Sequence, residues 1–157
     1  MLTLEQMLVR FGVALVLGAI LGIEREIVHK ETGIRTEMLV CAGATIFTMV
    51  GLVLPYLVSA STGNLADVVA RNSGFLQVIA NIVIGIGFLG AGLIMRDGTH
   101  THNLTTAALV WMTAAIGILA GIGLWQFAGI VTIIIAVLLF IIRKVNVAEE
   151  FERHGDI

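Results

Sequence analysis

Charge is what this sequence has least of. Asp, Glu, Lys and Arg make up 13% of its 157 residues, about half the share of an ordinary soluble domain. The nine Lys and Arg do not outnumber the eleven Asp and Glu, and the formal net charge is −2. No basic stripe exists to neutralise phosphates, which excludes a nucleic-acid partner. Cysteine is nearly absent too: Cys41 alone rules out an intrachain disulfide and a four-cysteine zinc site. It sits in an apolar run and reads as a buried, inert thiol. Catalytic machinery is also missing. There is no Ser-His-Asp set, glycine-rich phosphate loop or H-E-x-x-H stretch, so the chain does not read as an enzyme.

What is present is hydrocarbon. Hydrophobic residues make up 58% of the chain, and the mean hydropathy is +1.02. The apolar runs are 7–23, 38–59, 75–95, 105–124 and 126–142. Each is long enough to cross roughly 30 Å of hydrocarbon as a helix. Apolar residues do not alternate as the strands of a membrane barrel would, so strands are not expected. The reading is an all-α, polytopic membrane bundle of about five helices. Residues 1–145 form the transmembrane domain, and 146–157 a short charged tail. Glu5 precedes the first run and no small-residue cleavage site ends it, so it is expected to be a retained helix. The fourth run passes to the fifth within a few residues, which makes those helices antiparallel neighbours. Residues 64–72 (NLADVVARN) read either as a short surface helix or as a polar loop.

Basic residues set the expected orientation. Arg25, Lys30, Arg35, Arg96, Arg143, Lys144 and Arg153 fall on one side; Arg10 and Arg71 fall on the other. The richer side is expected to be cytoplasmic, with the amino terminus outside. Cysteines introduced at Ser61 and Thr99 test this: an impermeant reagent applied outside labels the first and spares the second. Equal labelling of both overturns the topology.

Glycine is abundant, with eighteen residues. Small residues let helix backbones approach closely in lipid. The helix-packing positions expected are Gly18 and Gly22 in the first helix, Gly85, Gly87, Gly90 and Gly92 in the third, and Gly117 and Gly121 in the fourth. Gly85-Ile86-Gly87-Phe88-Leu89-Gly90 matches the dinucleotide pattern G-x-G-x-x-G by spacing alone. It lies inside an apolar run with no strand before it, so no nucleotide is expected there.

Polar residues inside the runs need explanations. Asn81 requires a hydrogen-bond partner, and Thr45, Thr48 or Thr113 across a helix interface are the expected ones. Glu24, Arg25 and Glu26 close the first helix, Arg35, Thr36 and Glu37 open the second, and Arg96 and Asp97 close the third. They suggest an ion-pair cluster in which Arg35 or Arg96 answers Glu24. The alternative is that Glu24, Glu37 and Asp97 offer oxygens to Mg²⁺. His100 and His102 fall short of a metal site and read as a solvated turn.

These pieces together resemble the MgtC/SapB family of membrane proteins. The resemblance is carried by Gly18–Glu26 (GAILGIERE), Thr32–Thr36 (TGIRT), Gly43-Ala44, Gly85–Ile94 (GIGFLGAGLI), Leu104–Ala108 (LTTAA), Trp111 and Ala114–Gly117 (AAIG). It implies a multi-pass protein of the bacterial inner membrane, linked to magnesium limitation, acid tolerance and virulence. It further implies a regulator that binds another membrane complex, such as the proton-driven ATP synthase, or acts as a homo-oligomer such as a dimer. A Mg²⁺ or proton transporter is the alternative. The positions it marks as sensitive are Glu24, Arg25, Glu26, Arg35, Thr36, Glu37, Asn81, Arg96, Leu104, Thr105 and Thr106. Three departures stand out. Family members such as the virulence protein carry a soluble carboxyl-terminal domain, whose function is expected here to be absent or supplied in trans. An arginine usual before the third helix is replaced around Gln77. His102-Asn103 stands where basic-Gly is usual, in a turn that asparagine tolerates because it enters the left-handed region readily.

Overall fold

A computed structural model describes residues 2–62 and 74–154. Five helices carry the chain: α1 (Leu4–Ile27), α2 (Ile34–Thr62), α3 (Gly74–Leu93), α4 (Leu104–Ile122) and α5 (Trp125–His154). All five are long and apolar enough to cross a membrane. Residues 64–72, read as a surface helix or loop, lie outside the described residues.

Local sequence explains the ends. Thr3 accepts from the Gln6 N–H while the Gln6 side chain accepts from the Thr3 N–H, a capping box that opens α1. Glu26 at the end of α1 reaches forward to accept the Ile34 N–H at 3.2 Å, so α1 caps the start of α2. Gly123, at φ 104, closes α4 and turns the chain directly into α5. Arg10 of α1 donates to the Gly121 carbonyl at 2.7 Å, placing a cation on the negative end of α4.

One expectation is corrected. Between α3 and α4 lie two short strands, β1 (Met95–Asp97) and β2 (His100–His102), paired antiparallel with Asp97 opposite His100. Gly98, at φ 57, makes the two-residue reversal accessible. The helix α5 continues to His154, while its membrane-spanning part ends at Lys144.

The helix α4 is the hub. It packs against α1, α2, α3 and α5, and α1 also packs along α2. Its buried face runs Thr106, Val110, Thr113, Gly117, Gly121. Buried with it are Ala14, Leu17, Gly18, Leu21, Gly22 and Arg25 of α1, and Glu37, Cys41, Ala44, Thr45 and Thr48 of α2. Each set follows the three-to-four-residue spacing of one helix face. Four of the glycines make this approach sterically feasible. A Cβ on Gly18 would stand 2.6 Å from the Glu37 carbonyl oxygen, and one on Gly22 would strike the Ile34 backbone. One on Gly117 would strike the Cys41 carbonyl, and one on Gly121 would meet Thr48 at 2.7 Å. The Thr45 hydroxyl lies 2.7 Å from the Gly117 oxygen and 2.9 Å from the Cys41 oxygen, so its single proton is shared across the interface.

The third helix behaves differently. Its inner side offers Ile82 and Gly90, and its outer stripe of Gln77, Asn81, Gly85, Phe88 and Gly92 is exposed. No atom lies within 4 Å of where a Cβ would sit on Gly85, Gly87 or Gly92.

Candidate functional site at the Arg25 end of the bundle

The end of the bundle that carries the α1–α2 loop and the hairpin gathers buried polar groups. Arg25 is in the last turn of α1, three residues after Gly22 and seven after Gly18. It therefore continues the inward face rather than pointing to solvent, and only 4% of it is exposed. One guanidinium nitrogen donates to the Thr106 hydroxyl in the first turn of α4. Another lies 4.0 Å from the Glu24 carboxylate. The Arg25 Nε and the Glu24 Oε2 make no hydrogen bond.

Glu37 is also fully enclosed. It opens α2 on the face that continues through Cys41 and Thr45, so the helix phase carries it inward. Thr32, buried in the connecting loop, donates its hydroxyl to Glu37 Oε1 at 3.0 Å. The second oxygen of Glu37 and the Thr113 hydroxyl are buried without a hydrogen-bond partner. Buried polar groups are costly unless hydrogen-bonded. Arg25 and Thr106 thus tie α1 to α4, with Glu24 beside the guanidinium, and Thr32 ties the connecting loop to Glu37 of α2.

The other marked residues are placed as follows. The partner of Glu24 is Arg25, its neighbour, and not Arg35 or Arg96. Arg35 is exposed at the start of α2, with Thr36 half-buried beside it. Arg96 is on the exposed hairpin, where its Nε donates to the Gly98 carbonyl. The planar cluster therefore reduces to one ion pair among the described residues. Leu104 and Thr105 are exposed in the first turn of α4. Asn103 opens that turn at φ 65, the left-handed conformation that basic-Gly would otherwise supply. Among the described residues no three His, Cys, Asp or Glu side chains come together as metal ligands. Glu37 is enclosed in the bundle while Asp97 is exposed on the hairpin.

Among the described residues Asn81 makes no bond across a helix interface. Its amide oxygen accepts from Gln77 at 3.3 Å, one turn earlier on the same helix. The phase of α3 explains this, because turning Ile82 inward leaves Asn81 outward. Thr45 and Thr48 instead bond carbonyls at 2.7–2.9 Å. Beside Asn81 an apolar groove of about 480 Å³ runs between α2 and α3, floored by Gly43, Ala44 and Gly85.

Sequence reasoning missed Thr32 and Thr113 as members of the buried set. The signal was there: Thr113 falls on the same face as Thr106 and Gly117.

Comparison with known proteins gives a consistent answer. The sequence profile described as the MgtC family matches residues 11–148. The chain is 35% identical over 139 residues to Protein MgtC of Brucella abortus, covering 88% of this chain and 52% of that protein. It is 38% identical over 131 residues to Protein MgtC of Salmonella typhimurium, covering 83% and 50%. The chain thus spans about half the length of the curated relatives it matches. No solved structure matches it significantly.

Proposed function

The chain belongs to the MgtC family, and on that premise we propose that it is an inner-membrane regulator of the response to magnesium limitation, working by docking a second membrane complex against α3. The observation that carries this reading is the split among the glycines. Gly18 and Gly22 of α1 and Gly117 and Gly121 of α4 are consumed in holding the bundle together, whereas Gly85, Gly87 and Gly92 of α3 meet nothing in their own chain. Gly85 and Gly92, seven residues apart, share one face of α3, and an open small-residue face is built for close approach by another helix, since lipid tails gain nothing from glycine. The groove beside it supports the same use, and Asn81 supplies an amide at its edge. The proton-driven ATP synthase is the complex that the family resemblance implies. Affinity purification in mild detergent from magnesium-starved cells tests this. A stoichiometric membrane complex, with ATP synthase subunits as the expected identity, is predicted to co-purify. Recovery of the chain alone, together with cation flux in proteoliposomes, would favour a transporter.

A further inference from the structure

Next to the buried polar set, a cavity of about 600 Å³ opens between the last turn of α1, the strand β2, the first turn of α4 and the inner side of α5. Its charged lining is one-sided. Arg25, Lys30 and Arg143 are fixed cations with His102 beside them, and Glu24 is the one carboxylate.

Three independent features point the same way. The first turn of α4 borders the cavity through Leu104, Thr105 and Thr106. Helix geometry leaves the N–H groups of that turn without intrahelical partners. Asn103, held at φ 65, gives no side-chain cap to satisfy them. Such a helix start carries partial positive charge and accepts anions. The second feature is Arg25, which lines the cavity, is 96% enclosed and keeps an unpartnered Nε–H. A buried guanidinium donor without a partner is costly, and carboxylate or phosphate oxygens match its fork. The third is the wall made by Leu139 and Ile142 of α5. It places apolar surface directly beside the cationic groups, at the end of the membrane-spanning segments.

We infer that this cavity is an anion site for a phosphate group, bound by Arg25, Lys30, Arg143 and the open start of α4. The Arg25 Nε–H and the α4 N–H groups hold the phosphate oxygens, with Lys30 and Arg143 closing the rim. The charge balance suits a monoanionic diester or a dianionic monoester, since three fixed cations face one carboxylate. Basic pockets between membrane helices hold phospholipid headgroups in this manner. Soluble phosphate carries the same chemistry, and the experiment separates the two. The site shares no lining residue with the groove beside α3, so it stands or falls independently of partner docking.

The test uses the intact chain, purified and delipidated in detergent. One arm measures retention of phosphatidylglycerol against phosphatidylcholine by native mass spectrometry; the other measures stabilisation by inorganic phosphate in thermal unfolding. Selective retention of phosphatidylglycerol assigns the site to a lipid headgroup, and stabilisation by inorganic phosphate assigns it to a soluble anion. Because Arg25→Met also disturbs the bundle, the decisive variants lie at the rim. Arg143 and Lys144 are neighbours of equal charge, and only Arg143 lines the cavity. Arg143→Gln and Lys30→Gln are each expected to weaken binding about tenfold, the loss of one charge-assisted contact. Lys144→Gln should leave it within about twofold, an order-of-magnitude bound for a screened surface charge. Equal loss in Arg143→Gln and Lys144→Gln overturns the site, leaving only diffuse surface attraction. Absence of both lipid selectivity and phosphate stabilisation overturns it as well.

Discussion

Gly117→Leu yields no folded bundle, whereas Gly87→Leu yields protein that melts at or slightly above the wild-type temperature. The two residues are both mid-helix glycines in strongly apolar runs, and hydropathy cannot separate them. Their surroundings can. At Gly117 the first added carbon would collide with the Cys41 carbonyl and lie 2.9 Å from the Ala44 Cβ. The obstacle is backbone, which cannot rotate aside as a side chain would. Overpacking a filled core ordinarily costs about 1–3 kcal/mol, and Gly117→Ala is expected at the upper end of that range. Leucine, with three more carbons, must part α4 from α2. That separation would also break the bond from Thr45 to the Gly117 carbonyl. At Gly87 nothing lies within 4 Å, so replacement only removes the helix penalty of glycine, about 1 kcal/mol. Thermal unfolding in detergent, followed through Trp111 and Trp125, checks both. A melting point of Gly117→Leu equal to that of the wild type would contradict the packing described.

The second large effect is expected at Arg25. Arg25→Met destabilises the bundle by about 3–5 kcal/mol, the usual result of removing one member of a buried charge pair. The loss falls on what remains. Glu24 loses its cation and Thr106 loses its donor. Arg25→Lys does not restore the wild type, because a single ammonium cannot span Thr106 and Glu24 as the fork does. Neutralising the stranded acid does help. The double variant Arg25→Met with Glu24→Gln is predicted to recover part of the lost stability, because a whole buried pair is replaced at far lower cost than it is broken. If the double variant proved less stable than Arg25→Met, the Glu24 carboxylate would not be responsible for the loss.

Much of this fold is legible in the sequence. Five runs of membrane-spanning length, separated by charged turns, specify five helices and their order. The buried faces of α1 and α4 can be read from the spacing of Gly18 and Gly22 and of Gly117 and Gly121. Arg25 sits in phase with them, yet its arginine chemistry and rim position invite a solvent-facing reading. Local chemistry was harder to see. The hairpin depends on Gly98 adopting a positive φ, a conformational choice with no hydropathy signal. The direction of α3 was least legible of all. Its sides are almost equally apolar, so its phase is decided by which side finds Ala107 of α4 and Gly51 of α2 to pack upon: a Cβ on Gly90 would lie 3.7 Å from the Ala107 oxygen, and Val78 closes on Gly51. Asn81 followed from that choice, and so did the open glycines.

The division of labour among the glycines is the central claim, and one comparison tests it most directly. Wild type and Gly85→Leu are tagged, expressed in magnesium-starved cells, purified in mild detergent, and assayed for both thermal stability and co-purifying membrane protein. The predicted result is undiminished stability with loss of the partner in Gly85→Leu alone. Undiminished recovery of the partner with a stable Gly85→Leu protein would contradict it.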